Sequence, residues 1–567
     1  MGPAQLPDTD AAASLVVEYA RRAVAKHGEV VAALLRPGEH ERVLFETCVR
    51  PNIDTVFGRE HSFAEIRTID EYRARVPVRD YDGLAPYIDR AAAGEPSVLT
   101  ADPITAFFHT SGTTGQSKKI PLTKRRHEGS DLVRRYAISA AMFEKVPALA
   151  TRADCAIDFS WASRARESTT SASIPVRSMT EHMSHVSELL GGPGTVSPWS
   201  QLPSQVQTDQ EKQYFRMRHG LEHDVRVMMA LNPSTLVIAA SVLASEAPRL
   251  VAELRTGEVC GVPTLPPNPR RADELQALMA RGPLRPADVW PALQELVCWK
   301  SAACALYLPR LRELYGHGVR IRPFYISSSE GTITLMVDDH EVAGPVALSI
   351  AFFEFVPADV EITPHGPTLL PEQLIDGGEY QVIMTQVNGL YRYAIGDVVR
   401  VNGFFGGVPR LEFIRRTGAV SSFTGEKLTE PQVIRAAEKA LALTGVEVSY
   451  VTCCAVWAEP PRYTFVIEPK MALHPNAERR LAAELEKQLR KCNSEYPGKR
   501  DSGRLGACDL VCVVPGTARH DRELRIAAGA SPVQLKDPAL HRSHAALDRL
   551  QAASADVQRV DRGVRTE

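Results

Sequence analysis

The stretch HTSGTTGQSKK, residues 109–119, constrains this chain more than any other part of its sequence. It follows ITAFF (104–108), whose apolar and β-branched residues predict a buried strand. Five hydroxyl side chains and two glycines between Thr110 and Ser117 predict a loop, because hydroxyls compete with the backbone for hydrogen bonds and glycine contributes no side-chain packing. A loop at the carboxyl end of a buried strand is where α/β sheets place their ligands.

The composition of this loop indicates a phosphate site. The spacing after Gly112 does not fit a P-loop, which needs a second glycine followed by Lys and Ser or Thr. Backbone N–H groups near the glycines, the hydroxyls and a lysine ammonium can nevertheless surround a pyrophosphate. We assign to this phosphate clamp the residues Ser111, Gly112, Thr113, Thr114, Gly115 and Lys118.

Length and charge narrow the class of ligand. At 567 residues the chain is too long for one hydrophobic core, so we expect at least two domains. Its 66 lysines and arginines nearly balance 68 aspartates and glutamates, for a formal net charge of −2. This balance gives no electrostatic reason to expect nucleic acid or an anionic membrane as the partner, and it favours small-molecule ligands.

Two further features bear on the compartment. We find no run of eighteen apolar residues, and the N-terminus lacks the basic start and apolar stretch of a signal peptide. The ten cysteines show no two-residue spacing typical of zinc or redox motifs. We therefore expect buried free thiols and a cytoplasmic location. The sequence gives no oligomeric state.

The pattern of elements predicts an α/β fold in two parts. Short strands with turns dominate from about Gly318, and after Arg416 an amphipathic helix with Thr429 as its N-cap opens a new unit of strands and helices. We predict a large N-terminal domain, 1–416, and a smaller C-terminal domain, 417–567. We also expect an N-terminal helix from about Ala11 and a frayed end at 552–567. The expected apolar face of that helix comprises Leu15, Val16, Tyr19 and Val24.

Two more segments and one arginine place polar groups where strands are predicted to end. FYISSSEG (324–331) breaks a strand into three serines and a glutamate, which is equally consistent with a simple turn. GLYRYAIGD (389–397) ends in Gly-Asp, and a hairpin with packed side chains is the alternative. Arg177 can grip a substrate carboxylate with its planar fork, but a surface arginine is as consistent with its position.

Other chemistries lack their patterns. HGLEH (219–223) has histidines four residues apart but lacks the glutamate directly after the first histidine that zinc peptidases need, so we expect a solvated helix face. No Gly-x-Ser-x-Gly elbow is present for a serine hydrolase.

The stretch 75–123, RVPVRDYDGLAPYIDRAAAGEPSVLTADPITAFFHTSGTTGQSKKIPLT, resembles the same region of the Gretchen Hagen family of acyl-acid amido synthetases. Its TSGTTGQSKK segment also looks like the phosphate loop of the wider adenylate-forming enzymes. The resemblance extends over about residues 15–540 and looks like that of a bacterial member. It implies a large domain of a β-barrel with α/β layers and a small, mobile α+β domain.

The same resemblance implies roles for individual residues. Ser328 and Ser329 would lie near the α-phosphate and adenine of ATP, Glu330 would bind Mg²⁺ and Asp397 would accept hydrogen bonds from the ribose hydroxyls. Arg416, at the hinge, and Lys427 would also contact the nucleotide. Lys536, on the mobile domain, would neutralise charge that develops between a carboxylate and the α-phosphate. We count Lys118, Glu330 and Lys536 as the catalytic residues.

The implied reaction has two steps and uses ATP and Mg²⁺. An organic acid is activated as acyl-AMP with loss of pyrophosphate, and an amine, usually of an amino acid, then displaces AMP to form an amide. Two alternatives stay open. One is transfer of the acyl group to coenzyme A or a carrier-protein thiol, and the other is a nucleotide sensor without turnover.

Overall fold

The computed structural model describes most of the chain. The residues that it describes are 9–109, 118–159, 168–177, 199, 202, 206, 209–324, 326–417, 420–421, 423, 426, 428–458, 460–493, 496–501, 505–530, 535 and 537–564. They form an α/β fold with a large N-terminal unit and a smaller C-terminal unit. The large unit contains residues 1–300 and 307–413, and the smaller unit contains residues 301–306 and 414–567.

In the described residues up to 416, the strands form three larger sheets and one short hairpin. The strands are β1 (Ile104–His109), β2 (Lys119–Thr123), β3 (Ala156–Asp158), β4 (Ser168–Thr169), β5 (Pro175–Arg177), β6 (Val227–Met229), β7 (Glu258–Val259), β8 (Val262–Pro263), β9 (Glu295–Cys298), β10 (Arg320–Pro323), β11 (Gly344–Pro345), β12 (Phe352–Pro357), β13 (Glu379–Gln386), β14 (Leu390–Phe405) and β15 (Val408–Arg416). The sheets have the orders β2-β1-β5-β4, β10-β9-β6-β3 and β11-β15-β14-β13-β12, and β7 pairs with β8.

Helices surround these sheets. The α-helices are Thr9–Leu34, Glu39–Arg42, Val56–Glu60, Ile69–Arg75, Tyr81–Ala92, Lys124–Arg126, Leu132–Phe143, Asp209–Gly220, Pro233–Ser245, Ala247–Thr256, Pro269–Met279, Pro286–Val289 and Leu308–Tyr315. Short 3-10 or π turns occupy Val43–Val49, Arg50–Asn52, Phe63–Glu65, His127–Asp131, Pro147–Ala150, Ala302–Tyr307 and Pro371–Gln373.

The N-terminal helix is present, but the predicted apolar face is only half right. Val16 and Tyr19 are buried, whereas Leu15 and Val24 are exposed. The buried stripe continues instead through Ala20 and Ala23. The Tyr19 hydroxyl lies 2.8 Å from the hydroxyl of Ser139 in the helix Leu132–Phe143. The small alanines allow the two helices to pack closely, which a search for large apolar residues does not detect.

Hydrophobic clusters in the described residues support the sheets of the large unit. One packs β12, β13 and β14 against the first hundred residues, with Phe352, Phe353 and Phe355 completely buried. A second covers one face of the sheet β10-β9-β6-β3, whose neighbouring strands pair in parallel, and a third, which includes Val227 and Val297, covers the opposite face. Because its strands are parallel, their carboxyl ends lie at one edge, and β10 leaves that edge into the segment 324–331.

The smaller unit is an α+β arrangement. Its strands are β16 (Val420–Ser421), β17 (Leu428–Thr429), β18 (Val448–Val456), β19 (Arg462–Pro469), β20 (Asp509–Cys512) and β21 (Leu540–His541), and its α-helices are Glu430–Thr444, Pro475–Cys492, Tyr496–Asp501, Thr517–Ala527 and Ala545–Val564. The main sheet has the order β20-β19-β18-β21, and β16 pairs with β17.

The ends of two helices in this unit test the sequence prediction. Thr429 is the N-cap of Glu430–Thr444, as predicted, and forms a capping box with Gln432. The prediction of a frayed C-terminus is wrong, because a helix continues to Val564. Leu550 and Ala553 are buried on this helix. Alanines make up most of the buried apolar face of this helix. Because large apolar residues are few, the sequence of the segment looks polar.

Two predictions about the whole chain can be compared with the structure. All ten cysteines lie in the described residues and are free thiols. In the described helices, no single one is long and apolar enough to cross a membrane. The consecutive helices Pro233–Ser245 and Ala247–Thr256, with a bend of 69° between them, are together long and apolar enough to cross a membrane by length and composition alone.

Candidate functional site

The phosphate clamp begins and ends on neighbouring strands. His109 at the end of β1 pairs with Lys119 at the start of β2, so the two strands that flank the clamp lie side by side in one sheet. The structure does not describe residues 110–117, and Ser111, Gly112, Thr113, Thr114 and Gly115 are among them. Arg177 pairs with Phe108 in the parallel strands β5 and β1. The arginine proposed to hold a carboxylate therefore lies beside the strand that enters the clamp.

Lys118 lies at the exit of the clamp, next to a tyrosine. Its ammonium is 5.2 Å from the centroid of the Tyr81 ring, in cation–π geometry. The hydroxyl of Tyr81 accepts a hydrogen bond of 2.9 Å from the Lys119 N–H. Burial raises the pKa of Tyr81, so the phenol is neutral at pH 7. Tyr81 thus contacts both the start of β2, through its hydroxyl, and the Lys118 ammonium, through its ring.

The second segment, 324–331, contains a tight loop in which Ser327, Ser328 and Ser329 are half-buried and Glu330 is buried. Ser327 and Thr332 form a bridge, and the Ser328 N–H donates a 2.9 Å hydrogen bond to the Gly331 carbonyl. Glu330 is only 5% exposed. Its carboxylate accepts a 3.4 Å hydrogen bond from the hydroxyl of Tyr393, which lies in β14. The loop therefore presents a buried carboxylate directly beside the third segment, 389–397.

Asp397 occupies an irregular part of β14. Ile383 pairs with Ala394 and Gln381 pairs with Val398, so a single residue of β13 faces three residues of β14. Gly396 has φ +80° within this bulge, a conformation that glycine adopts without strain. Bulges redirect side chains and are frequent beside active sites. Asp397 is 6% exposed and follows Tyr393, the residue that contacts Glu330, by four positions on the same strand.

Two other residues of the third segment have structural roles. Tyr391 stacks on Phe57 with 4.6 Å between ring centroids, and its hydroxyl donates to the Leu99 carbonyl at 2.8 Å. The guanidinium of Arg392 donates to both oxygens of Glu354, at 2.9 and 3.0 Å. Packing therefore accounts for these two side chains, as the hairpin interpretation expects.

Sequence reasoning missed three polar residues around the loops. Arg126 donates to the Ser329 carbonyl at 2.7 Å, and Asn388 donates to the Pro121 carbonyl at 3.0 Å. Gln386 lies under the second loop, where a Cβ on Gly331 would be 2.7 Å from its Nε2. Of these three, Arg126 alone has a local sequence signal. It stands three residues after Thr123, the N-cap residue whose hydroxyl accepts a hydrogen bond from the Arg126 backbone N–H.

Replacing Gln386 by methionine is expected to stabilise the protein. Gln386 is completely buried, and neither atom of its amide has a hydrogen-bond partner among the described residues. An unpartnered buried polar group costs about 1–3 kcal/mol, and methionine keeps the length of the side chain without that cost. Thermal unfolding followed by circular dichroism would show a higher Tm.

Gln381 provides the matched control on the same strand. Its Nε2 donates to the carbonyls of Pro357 and Val360, at 3.3 and 2.6 Å. Gln381→Met removes these bonds and is expected to lower the Tm. A Gln386→Met protein that melts below the wild type would contradict the prediction.

The remaining predicted residues belong to the smaller unit. Arg416 is exposed at the end of β15. Lys427 and Lys536 lie outside the described residues. The neighbours of Lys536 are anchored, because the Leu535 carbonyl accepts a 3.4 Å hydrogen bond from Arg522 and the Asp537 carboxylate pairs with Arg525.

The histidine pair of HGLEH does not form a solvated helix face. The helix ends at Gly220, and His219 is buried, with its pKa lowered to about 3 by desolvation. His223 lies beyond the helix, 3.0 Å from Asp154. In the part of the chain that the structure describes, no group of three or more metal-binding side chains comes together.

Family models match most of the chain. The GH3 family N-terminal domain matches residues 27–321, the central domain residues 344–416 and the C-terminal domain residues 431–545. The chain is 26% identical over 522 residues to a putative indole-3-acetic acid-amido synthetase, GH3.9, of Arabidopsis thaliana, covering 85% of this chain and 88% of that protein. It is 27% identical over 509 residues to the indole-3-acetic acid-amido synthetase GH3.8 of Oryza sativa subsp. indica, covering 82% of both.

Solved structures share the fold. The acyl acid amido synthetase GH3.15 superimposes with a TM-score of 0.78 at 22% identity, covering 91% of this chain and 93% of that one. A 2-hydroxyisobutyryl-CoA ligase superimposes with a TM-score of 0.51 at 12% identity, covering 92% and 91%. GH3.9 and GH3.8 are plant proteins, so the bacterial character expected from the sequence has no support from these relatives. The three family domains, in order along the chain, show that the protein belongs to the GH3 family.

Proposed function

We propose that this protein is an ATP-dependent acyl-acid amido synthetase. It activates an organic acid as acyl-AMP and transfers the acyl group to an amine, forming an amide. Membership of the family implies the use of ATP. One structural observation carries the assignment of the site to this chain. Direct hydrogen bonds within one unit join the exit of the clamp, through Pro121 and Arg126, to the Ser328–Glu330 loop and to the turn and strand that carry Asn388, Tyr393 and Asp397.

In the first step, the residues act on the two ends of the nucleotide. The clamp residues and Lys118 bind the departing pyrophosphate, for which a positive charge at the exit of a glycine-rich loop is suited. Ser328 and Ser329 contact the α-phosphate side, and Asp397 accepts hydrogen bonds from the ribose hydroxyls. Arg177 holds the carboxylate of the acid beside the clamp. Arg416, at the hinge between the proposed domains, and Lys427, just inside the smaller one, are assigned the remaining nucleotide contacts.

Glu330 is the proposed ligand of Mg²⁺. Magnesium keeps several of its waters and is commonly bound through one or two carboxylates together with substrate phosphates. One buried carboxylate in a hydrogen-bonded loop fits that requirement. The ion would neutralise phosphate charge during loss of pyrophosphate, while Tyr393 orients the carboxylate.

The second step requires the acyl-AMP to be protected from water until the amine arrives. We propose domains of 1–416 and 417–567, with the smaller one mobile, and assign to Lys536 the neutralisation of charge at the carboxylate and α-phosphate. A cytoplasmic location, which the cysteine spacing favours, completes the proposal.

The names of the relatives suggest the first acids to test. The plant relatives are named for indole-3-acetic acid, and GH3.15 was solved in complex with 2,4-DB. Both indole-3-acetic acid and 2,4-DB therefore belong in an initial panel of acids, with amino acids as the acceptor amines.

Three measurements separate the functions. Pyrophosphate release on mixing the protein with ATP, Mg²⁺ and an acid distinguishes an enzyme from a nucleotide sensor. ATP-dependent hydroxamate formation across the panel then identifies the acid. Amino acids and coenzyme A, added separately, distinguish an amide from a thioester product. Failure to release pyrophosphate with any acid, while ATP still binds, would support the sensor; a thioester without an amide would support the ligase alternative.

A further inference from the structure

One buried arginine connects the sequence segments that form the proposed site. Arg126 follows β2 and is only 1% exposed. Its Nη2 donates a 2.7 Å hydrogen bond to the Ser329 carbonyl in the second loop. The centre of its guanidinium lies 5.0 Å from the centroid of the Phe108 ring in β1. This side chain therefore contacts both the strand that enters the phosphate clamp and the loop that carries Glu330.

The exit strand of the clamp and the third segment join the same cluster. The Pro121 carbonyl in β2 lies 3.5 Å from Nη1 of Arg126 and accepts a 3.0 Å hydrogen bond from Nδ2 of Asn388. Asn388 is completely buried and stands in the turn between β13 and β14. β14 carries Tyr393 and Asp397. The Arg126–Pro121–Asn388 cluster thus connects all three segments inside the large unit.

The chemistry of arginine suits this position. A guanidinium is planar, so it can lie on an aromatic ring while its N–H groups point in fixed directions to two carbonyl oxygens. Lysine has a point charge on a flexible stem and cannot reproduce both the stacking and the directed bonds. The backbone N–H of Arg126 also bonds to the Thr123 hydroxyl at 3.2 Å, which fixes the base of the side chain.

We propose that Arg126 is a positioning residue for adenylate formation. It holds the Ser329 carbonyl, and with it the loop from Ser328 to Glu330, at a set distance from the strands that deliver the phosphate clamp. The effect of Arg126 on catalysis rests on the proposed function. Its effect on the position of the Ser328–Glu330 loop rests only on the contacts of Arg126. The two consequences can be measured separately.

The structural consequence is tested by amide hydrogen exchange. Arg126→Met keeps an apolar stem over Phe108 and removes the donors to Ser329 and Pro121. We expect peptides covering 326–334 to exchange faster in this variant than in the wild type, because the Ser328 and Ile333 N–H groups are bonded within the loop. This measurement needs no substrate, so it remains decisive if the protein proves to have another activity.

The catalytic consequence is tested by steady-state kinetics of acid-dependent pyrophosphate release. Misplacing reacting groups by about 1 Å can cost about 10²-fold in rate. We expect a kcat roughly 10²-fold lower for Arg126→Met, with the KM for the acid changed less than about twofold. Arg126→Lys should recover part of the rate, because it restores one donor.

Arg271 offers a matched control in the same unit. Its guanidinium also bonds to two backbone carbonyls, of Leu221 at 2.9 Å and Val289 at 2.8 Å. These residues precede β6 and β9, so they lie toward the amino ends of the parallel strands, whereas the second loop follows the carboxyl end of β10. Arg271→Met should reduce thermal stability but leave the exchange of 326–334 and the kcat of folded protein near wild-type values.

The outcomes are distinct. Unchanged exchange of 326–334 in Arg126→Met overturns the positioning role, and so does a loss of kcat that Arg271→Met reproduces. If wild-type protein releases no pyrophosphate, the proposed function fails, and the hydrogen-exchange comparison still decides whether Arg126 holds the loop.

Discussion

Replacing Asp397 by alanine should abolish acid-dependent pyrophosphate release. The carboxylate is buried in the β14 bulge and, in the proposed site, accepts hydrogen bonds from both ribose hydroxyls. A hydrogen bond to a charged group contributes about 1.5–3 kcal/mol, so loss of two such bonds corresponds to a decrease of about 10²- to 10⁴-fold in kcat/KM for ATP. Rates of pyrophosphate release at a series of ATP concentrations would measure this decrease in kcat/KM.

Deoxynucleotides make this test specific for the ribose. With 2′-deoxy-ATP the wild type should lose a large part of its kcat/KM, whereas Asp397→Ala should lose little more than it has already lost. Asp397→Asn keeps the size of the side chain and separates loss of charge from loss of volume. Near-normal turnover by Asp397→Ala, or equal discrimination against 2′-deoxy-ATP in variant and wild type, would remove the ribose assignment.

Local sequence patterns predicted the elements whose causes are local. The ITAFF strand is β1, and Thr429 caps its helix, because side-chain apolarity and capping chemistry act over a few neighbouring residues. The family was also predicted, since the stretch 75–123 resembles it and the family models confirm the assignment. Residues placed by that resemblance, among them Glu330 and Asp397, stay predictions about function.

Long-range contacts explain what the sequence did not reveal. Arg126 stands in the basic run KRR, which is typical of an exposed helix end, and only the tertiary fold brings it to Ser329. His219 is buried near the end of its helix, where its ring lies 4.6 Å from that of Phe215. The N-terminal and C-terminal helices bury alanines in preference to some larger residues, so their packed faces are weakly marked in the apolar pattern.

Replacing Arg392 by methionine should destabilise the large unit strongly. Arg392 is completely buried, and its fork of two bonds to Glu354 is supplemented by bonds to the Arg73 and Val76 carbonyls at 3.1 and 2.9 Å. Glu354 is 1% exposed, so the variant removes two of the hydrogen bonds that hold a buried carboxylate and leaves it those from Arg73, at 2.9 Å, and Thr368, at 2.6 Å. Breaking one side of a buried ion pair typically costs about 3–5 kcal/mol, and because Arg73 still pairs with Glu354 we expect a loss near the lower end of that range. Chemical unfolding, followed by both circular dichroism and tryptophan fluorescence, would measure the loss.

The same strand supplies an exposed control, and a second substitution tests the cause. Arg400 in β14 pairs with Glu379 at 2.7 Å, but both side chains are about one-third exposed, at 36% and 32%. Arg400→Met should therefore cost no more than about 1 kcal/mol. Glu354→Gln and Arg392→Met each break the same ion pair, so we expect the double variant to be more stable than the sum of the single effects predicts. If Arg392→Met costs no more than Arg400→Met, the buried pair does not anchor β14, and the stable placement of Tyr393 and Asp397 requires another explanation.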